Sequence, residues 1–281
     1  MLNRVLAAGL ALTVLALAGC GEDRADPAIR AGERYVALGD SYTSGGGLPR
    51  TRPSGAACGQ SELAYPSLVA KALDVRLTDV SCGGATTEDG TAQQVEAVTK
   101  GTDLVTVGLG GNDFSWFLGA MFGCTSLAAS DPTGSPCQRQ GTAPESDLTA
   151  LPPQIGARVE ALLSDVHRRA PGARILLVGY PQPVPAHGSC AALPLAAGDY
   201  PFVRAQWAAL DDAMRRAAAA AGAGFVEVLA PSEGHDICAG DEAWVNGFEA
   251  QPGVAAAYHP NTAGQAAVAE LVVAALRASE Q

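Results

Sequence analysis

Charge is scarce in this chain and lysine nearly absent. Only 17% of its 281 residues are Asp, Glu, Lys or Arg, and Lys71 and Lys100 are the sole lysines among 18 basic residues. Acids outnumber bases 29 to 18, giving a net charge of −11 and a pI near 4.7. Such a chain does not neutralise phosphates along a backbone, so nucleic-acid binding drops out first. The apolar run from Val5 to Ala18 is shorter than the roughly 20 residues that span hydrocarbon. No Cys-x-x-Cys pair or His-rich tract is present, so the sequence implies no zinc site and no metal. No Gly-x-Ser-x-Gly elbow occurs either, which disfavours the ordinary α/β-hydrolase layout. There is no internal repeat and no interdomain linker after residue 34. What remains is a chain 48% hydrophobic, too apolar for disorder and long enough for one large core.

The amino terminus has a basic residue at Arg4, then the apolar run, then small residues before Cys20. That layout predicts a secretory signal over 1–19. Leu17-Ala18-Gly19-Cys20 resembles the bacterial lipobox, which implies that Cys20 becomes the lipid-bearing first residue of an exported, membrane-anchored or extracellular chain. Residues 20–33 are polar and turn-rich and read as a tether, followed by one domain over 34–281. Setting Cys20 aside leaves Cys58, Cys82, Cys124, Cys137, Cys190 and Cys238. Six cysteines in an exported chain are the arithmetic of three disulfides, whose connectivity spacing alone leaves open.

Five short β-rich runs, at 34–39, 75–80, 103–110, 173–180 and 224–229, end in Gly, Ser or Pro and read as buried parallel strands. Between them, Gln154–Ala170 carries apolar residues at helical spacing and stops at Pro171-Gly172. Thr262-Ala263-Gly264-Gln265 matches a capping box opening a helix to about Ala278. Alternating β and α units predict a doubly wound parallel sheet with helices on both faces. The stretches 122–152 and 181–200 read as long insertions pinned by disulfides. Ligands of such sheets sit at the carboxyl ends of the strands.

Those ends carry the chemistry. Gly39-Asp40-Ser41 follows the first strand, Ser81-Cys82-Gly83-Gly84 the second and Gly110-Gly111-Asn112-Asp113 the third, and Tyr258-His259-Pro260-Asn261 precedes the last helix. The order is a hydroxyl, two donor loops and an imidazole. A serine hydroxyl needs a base to attack an acyl carbon, and the developing oxyanion needs preorganised donors. On these four blocks the chain resembles the SGNH (GDSL-type) hydrolases, in particular the secreted actinobacterial lipase and esterase branch. The resemblance implies a three-layer αβα sandwich of flavodoxin-like character and a serine esterase or lipase. It acts on carboxylic esters through an acyl-enzyme, without cofactor or metal. Ser41 is then the nucleophile and His259 the general base, with the Ser41 N–H, the Gly84 N–H and the Asn112 amide as the oxyanion hole. It further implies the pairs Cys58–Cys82, Cys124–Cys137 and Cys190–Cys238. The expected partners are an ester substrate and, through Cys20, a membrane; the expected state is a monomer. Phospholipase, thioesterase or carbohydrate deacetylase chemistry on the same fold is the alternative, and a surface binding lipoprotein without turnover the rival of another class.

Two positions depart from the family pattern. Tyr42 stands where the family name has leucine, and Ala256 where an Asp often precedes the histidine. Either a backbone carbonyl at Ala256 orients His259, or Asp236, Asp241 or Glu249 reaches in, since fixing the tautomer requires only an acceptor for Nδ1–H. His167, His187 and His235 read as solvated or loop residues. Asp40 and Asp113 read as loop-holding side chains, and Phe114, Trp116 and Phe117 as core or as part of an acyl pocket.

Overall fold

A computed structural model describes residues 28–144 and 146–278, so the signal segment 1–19 and Cys20 lie outside the described residues. Five strands pair in parallel in the order β2-β1-β3-β4-β5. They are β1 (Arg34–Gly39), β2 (Arg76–Asp79), β3 (Leu104–Gly108), β4 (Arg174–Val178) and β5 (Gly224–Val226). Every residue of β3 and β4 is buried, which is why these strands read as unbroken apolar runs rather than alternating ones.

Eight α-helices accompany them among the described residues: α1 (Ser41–Ser44), α2 (Tyr65–Leu73), α3 (Thr87–Ala92), α4 (Cys124–Ala128), α5 (Pro136–Gly141), α6 (Leu151–Arg169), α7 (Tyr200–Ala220) and α8 (Thr262–Ala278). Side chains alternate across the strands, so each strand feeds two cores. Tyr35, Ala37, Leu104 and Leu176 pack with Val69 of α2 and Val272 of α8 on one face. Val36, Leu38, Val107 and Leu177 pack with Leu162 of α6 and Leu210 of α7 on the other. The result is the expected αβα sandwich.

Helix α6 begins three residues before the expected Gln154, because Pro152 and Pro153 are tolerated in a first turn whose N–H groups have no helical acceptor. The cap of α8 also differs from the expected box. Asn261, not Thr262, caps the helix, its Oδ1 accepting the Gly264 N–H at 3.0 Å. Gln265 turns inward instead: Oε1 accepts the Tyr65 N–H and Nε2 donates to the Tyr42 carbonyl, both at 2.8 Å. The last helix is thereby fastened to the first two.

The tether expected over 20–33 is docked where it is described. Ile29 packs on the α2/α8 side, and the Gly32 N–H donates to the Asp74 carbonyl at 2.7 Å. The three disulfides are Cys58–Cys82, Cys124–Cys137 and Cys190–Cys238, the pairing the family resemblance implies. In the chain-entropy view, each loop closure stabilises the fold by about 3–4 kcal/mol. No helix among the described residues is long and apolar enough to cross a membrane.

Candidate active site

Asp40 ends β1 and begins α1. Its N–H donates to the Gly108 carbonyl at 3.0 Å, and its Oδ1 accepts the Tyr42 N–H at 2.8 Å, which makes it the N-cap. Gly39 is required beneath this turn, since a Cβ there would lie 2.1 Å from Thr43 Oγ1. The cap leaves Ser41 as the first helical residue, half-buried at the sheet edge. Its Oγ lies 2.7 Å from His259 Nε2.

On its other side the imidazole bonds the Ala257 carbonyl through Nδ1, also at 2.7 Å. A carbonyl only accepts, so Nδ1 carries the proton and Nε2 presents a lone pair to the serine hydroxyl. This corrects the expected acceptor by one residue. The Ala256 carbonyl is engaged by the His259 N–H at 3.2 Å and by the Asn246 amide at 3.3 Å, and that tight turn puts the next carbonyl in line with the ring. None of the three candidate carboxylates reaches His259: Asp236 caps the Cys238 N–H at 2.8 Å, and Asp241 and Glu249 are exposed.

The histidine turn is strained and buttressed. Tyr258 has φ 60°, a region that costs a residue with a bulky side chain about 1–3 kcal/mol. Its ring is fully buried against Phe122, and its carbonyl accepts the Tyr42 hydroxyl at 2.5 Å. The Ala256 N–H donates to the Gly46 carbonyl at 2.9 Å. The glycines opposite are closely fitted: a Cβ on Gly46 would lie a tight 3.1 Å from His259 Cδ2, and at Gly47, where φ is +81°, one would lie 2.3 Å from the Ala256 nitrogen, so only glycine fits there. Their only mark in the sequence is the run Gly45-Gly46-Gly47 directly after the serine turn.

Burial holds the His259 pKa below its ordinary 6.5, opposed by the bond to Ala257. A neutral ring can accept a proton and a protonated one cannot, so this capacity is lost as pH falls through the lowered pKa. The acid limb of kcat/KM is therefore expected below pH 6.5, measured on a soluble ester from pH 4 to 8; a midpoint above 6.5 would contradict the buried-base geometry.

Gly84 and Asn112 leave the carboxyl ends of β2 and β3, the two strands that flank β1. Gly84 has φ +80° and is exposed, and its loop is held by the Cys58–Cys82 bridge and the Gly83 N–H to Cys58 carbonyl bond of 3.0 Å. The Asn112 amide gives one hydrogen to the Ala85 carbonyl at 3.0 Å and keeps a second. Neither the Ser41 nor the Gly84 N–H has an acceptor among the described residues. Asp113, as expected, holds its loop, accepting the Thr87 N–H at 2.8 Å and the Thr87 hydroxyl at 2.5 Å. Asp40 does likewise, and burial pushes its carboxyl up to about 7 against the Tyr180 hydroxyl and the Tyr42 and Thr43 N–H groups.

The aromatic trio divides. Trp116 is core, edge-on to Trp207 at 5.2 Å. Phe117 packs edge-on against His259 at 5.7 Å and Tyr42 at 5.8 Å. Phe114, 40% exposed with Arg158 3.9 Å over its ring, stands at the lip of a cavity of about 750 Å³ lined also by Leu118, Phe122, Leu148 and Leu151. His167 and His187 are exposed, and His235 stacks on Trp244 at 4.4 Å. Among the described residues no group of three or more His, Cys, Asp or Glu is set to hold a metal ion.

A hydroxyl and a half-buried imidazole, bonded at the carboxyl edge of a doubly wound sheet, is the arrangement of an acyl-transferring hydrolase. The chain belongs to the GDSL-like lipase/acylhydrolase family, which it matches over residues 37–267. It is 43% identical to Lipase 2 of Streptomyces coelicolor over 253 residues, 84% of this chain and 83% of that one. It is 34% identical to a lipase of Streptomyces rimosus over 262 residues, 92% of both chains. The extracellular lipase of S. rimosus superposes with a TM-score of 0.74 at 30% identity, covering 86% of this chain and 99% of that one. Phospholipase A1 of Streptomyces albidoflavus gives 0.75 at 29% identity, covering 89% and 100%. The protein is a carboxylic ester hydrolase of this family.

Proposed function

We propose that the chain is an exported lipase acting on long-chain esters, with Ser41 as nucleophile and His259 as general base. The 2.7 Å bond from Ser41 Oγ to His259 Nε2 carries this reading. His259 takes the hydroxyl proton as Oγ attacks the acyl carbon. The charge that collects on the former carbonyl oxygen meets the Ser41 and Gly84 N–H groups and the free hydrogen of the Asn112 amide. His259 then protonates the leaving alcohol, and water releases the acyl group by the same steps in reverse. The Ala257 carbonyl orients the ring in place of a carboxylate.

The cavity beside Phe114 favours a long acyl chain over an acetyl group. Phe122 of its apolar lining packs against Phe117 with ring centroids 6.0 Å apart, and Phe117 packs in turn against His259, so the cavity lies one ring away from the pair. The relatives named lipase and phospholipase A1 support the same substrate class. Hydrolysis rates over esters from acetyl to palmitoyl, beside a phospholipid and an acetylated glycan, test it. Gly119→Leu, whose side chain would meet Leu148, is expected to lower the palmitoyl rate about tenfold and leave the acetyl rate unchanged. An unaltered chain-length profile, or a preference for the glycan, refutes the reading. Absence of fluorophosphonate labelling at Ser41 refutes its role as the nucleophile.

Export as a monomer with a diacylglyceryl Cys20 belongs to the same proposal, supported by the lipobox-like segment and by the extracellular S. rimosus relative. Two acyl chains suffice for stable anchoring, so Cys20→Ala should leave the membrane fraction.

A further inference from the structure

Tyr180 lies two residues past the end of β4 and is buried. Its hydroxyl donates to Asp40 Oδ2 at 2.7 Å and accepts the Gly111 N–H at 3.0 Å. Asp40 is the residue before Ser41, and Gly111 the residue before Asn112. One hydroxyl thus joins the turn that carries the Ser41 N–H to the loop that carries the Asn112 amide. The ring has little freedom, being packed edge-on to Tyr42 at 5.3 Å and to Trp207 at 6.1 Å. The loop it holds is otherwise permissive, since Gly110 sits at φ +131°. Gly111 is also closely fitted, because a Cβ there would lie 3.2 Å from the Tyr180 hydroxyl.

We infer that Tyr180 is a positioning residue of the oxyanion hole, its hydroxyl fixing the spacing between the Ser41 N–H and the Asn112 amide. Tyr180 is buried and bonds the residues that precede both donors, so it acts through them and not on substrate. The spacing matters because donors stabilise an oxyanion only within about 2.7–3.1 Å of where the charge develops. Asn112 passes the constraint on to the third donor through its bond to the Ala85 carbonyl, next to Gly84. This inference rests on the oxyanion reading proposed above.

Tyr180→Phe in the full chain keeps the ring and removes only the bridge. It is expected to lower kcat about ten- to hundredfold with KM within about threefold, the mark of an interaction made in the transition state. Affinity for a trifluoromethyl ketone, which forms an anionic adduct on Ser41, should fall by the same factor, while affinity for the matching methyl ketone holds. The Tyr180→Phe/Asn112→Ala double variant should lose less than the product of the two single losses. A lowered Tm with kcat and adduct affinity unchanged would mark Tyr180 as structural only and overturn the inference, as would independent losses in the double variant. Should Tyr180→Phe not fold, Gly111→Ala, which crowds the same hydroxyl, reads the same split. If Asn112→Ala alone moves neither kcat nor adduct affinity, the oxyanion reading itself fails. If it moves both while Tyr180→Phe moves neither, only the role of Tyr180 falls.

Discussion

Replacing Ser41 or His259 with Ala is expected to reduce kcat by about 10⁴–10⁶ with the Tm nearly unchanged. Both side chains stand half-buried at the sheet edge, so their removal opens no core cavity. The two variants should lose similar amounts, because hydroxyl and base act as one unit across their 2.7 Å bond. Asp236→Asn, Asp241→Asn and Glu249→Gln, by contrast, should each keep kcat within about tenfold. The Ala257 carbonyl already fixes the tautomer, whereas loss of a true triad carboxylate costs about 10⁴. Steady-state kinetics on a soluble ester, with thermal melts as the folding control, decide between the dyad and a hidden acid. A loss of several thousandfold in any one carboxylate variant would mean that a conformational change brings that side chain to the imidazole.

Asn112→Ala is expected to lower kcat by about 10²–10³ with KM little changed, since the donor serves mainly once the carbonyl oxygen carries charge. The same amide holds the Ala85 carbonyl, so part of the loss arises from a looser Gly84 loop. Asn112→Ser, which can still donate, should recover some of the rate. Comparable losses in binding and turnover would assign Asn112 to substrate contact instead.

The centre of the sheet was legible because β3 and β4 are covered on both faces, which turns them into largely apolar runs flanked by turn residues, whereas β2 lies at the edge and is half-exposed. The four polar blocks were legible because a doubly wound sheet delivers whatever follows its strands to one edge. Other features depend on partners far along the chain. Gln265 stands where a capping box wants it, yet its amide serves Tyr65 and Tyr42, about 200 residues earlier. The need for Gly46 and Gly47 arises only when the 255–259 turn lies against them. The acceptor for His259 shifted from Ala256 to Ala257 because the close turn ending at Tyr258, with its φ of 60°, decides which carbonyl faces the ring, and a single sequence does not display that angle. Helix α7 carries a signal of the same kind, Val203, Trp207, Leu210 and Met214 recurring at helical spacing along its buried side, but it is diluted by the alanines around them.

The fastening of the serine turn to the histidine turn, Gly46 carbonyl to Ala256 N–H, has a consequence for how the enzyme comes into being. Ser41 and His259 are 218 residues apart in sequence and meet by direct contact of their two turns, with α8 docked alongside. Closing so long a loop comes late in folding. With Ser41 as nucleophile and His259 as base, as proposed, a growing chain carries its serine for most of its synthesis without that imidazole, and a fragment ending before residue 259 is expected to be inactive. On the proposed reading, hydrolytic activity thus reports that the chain has been made through residue 259 and folded.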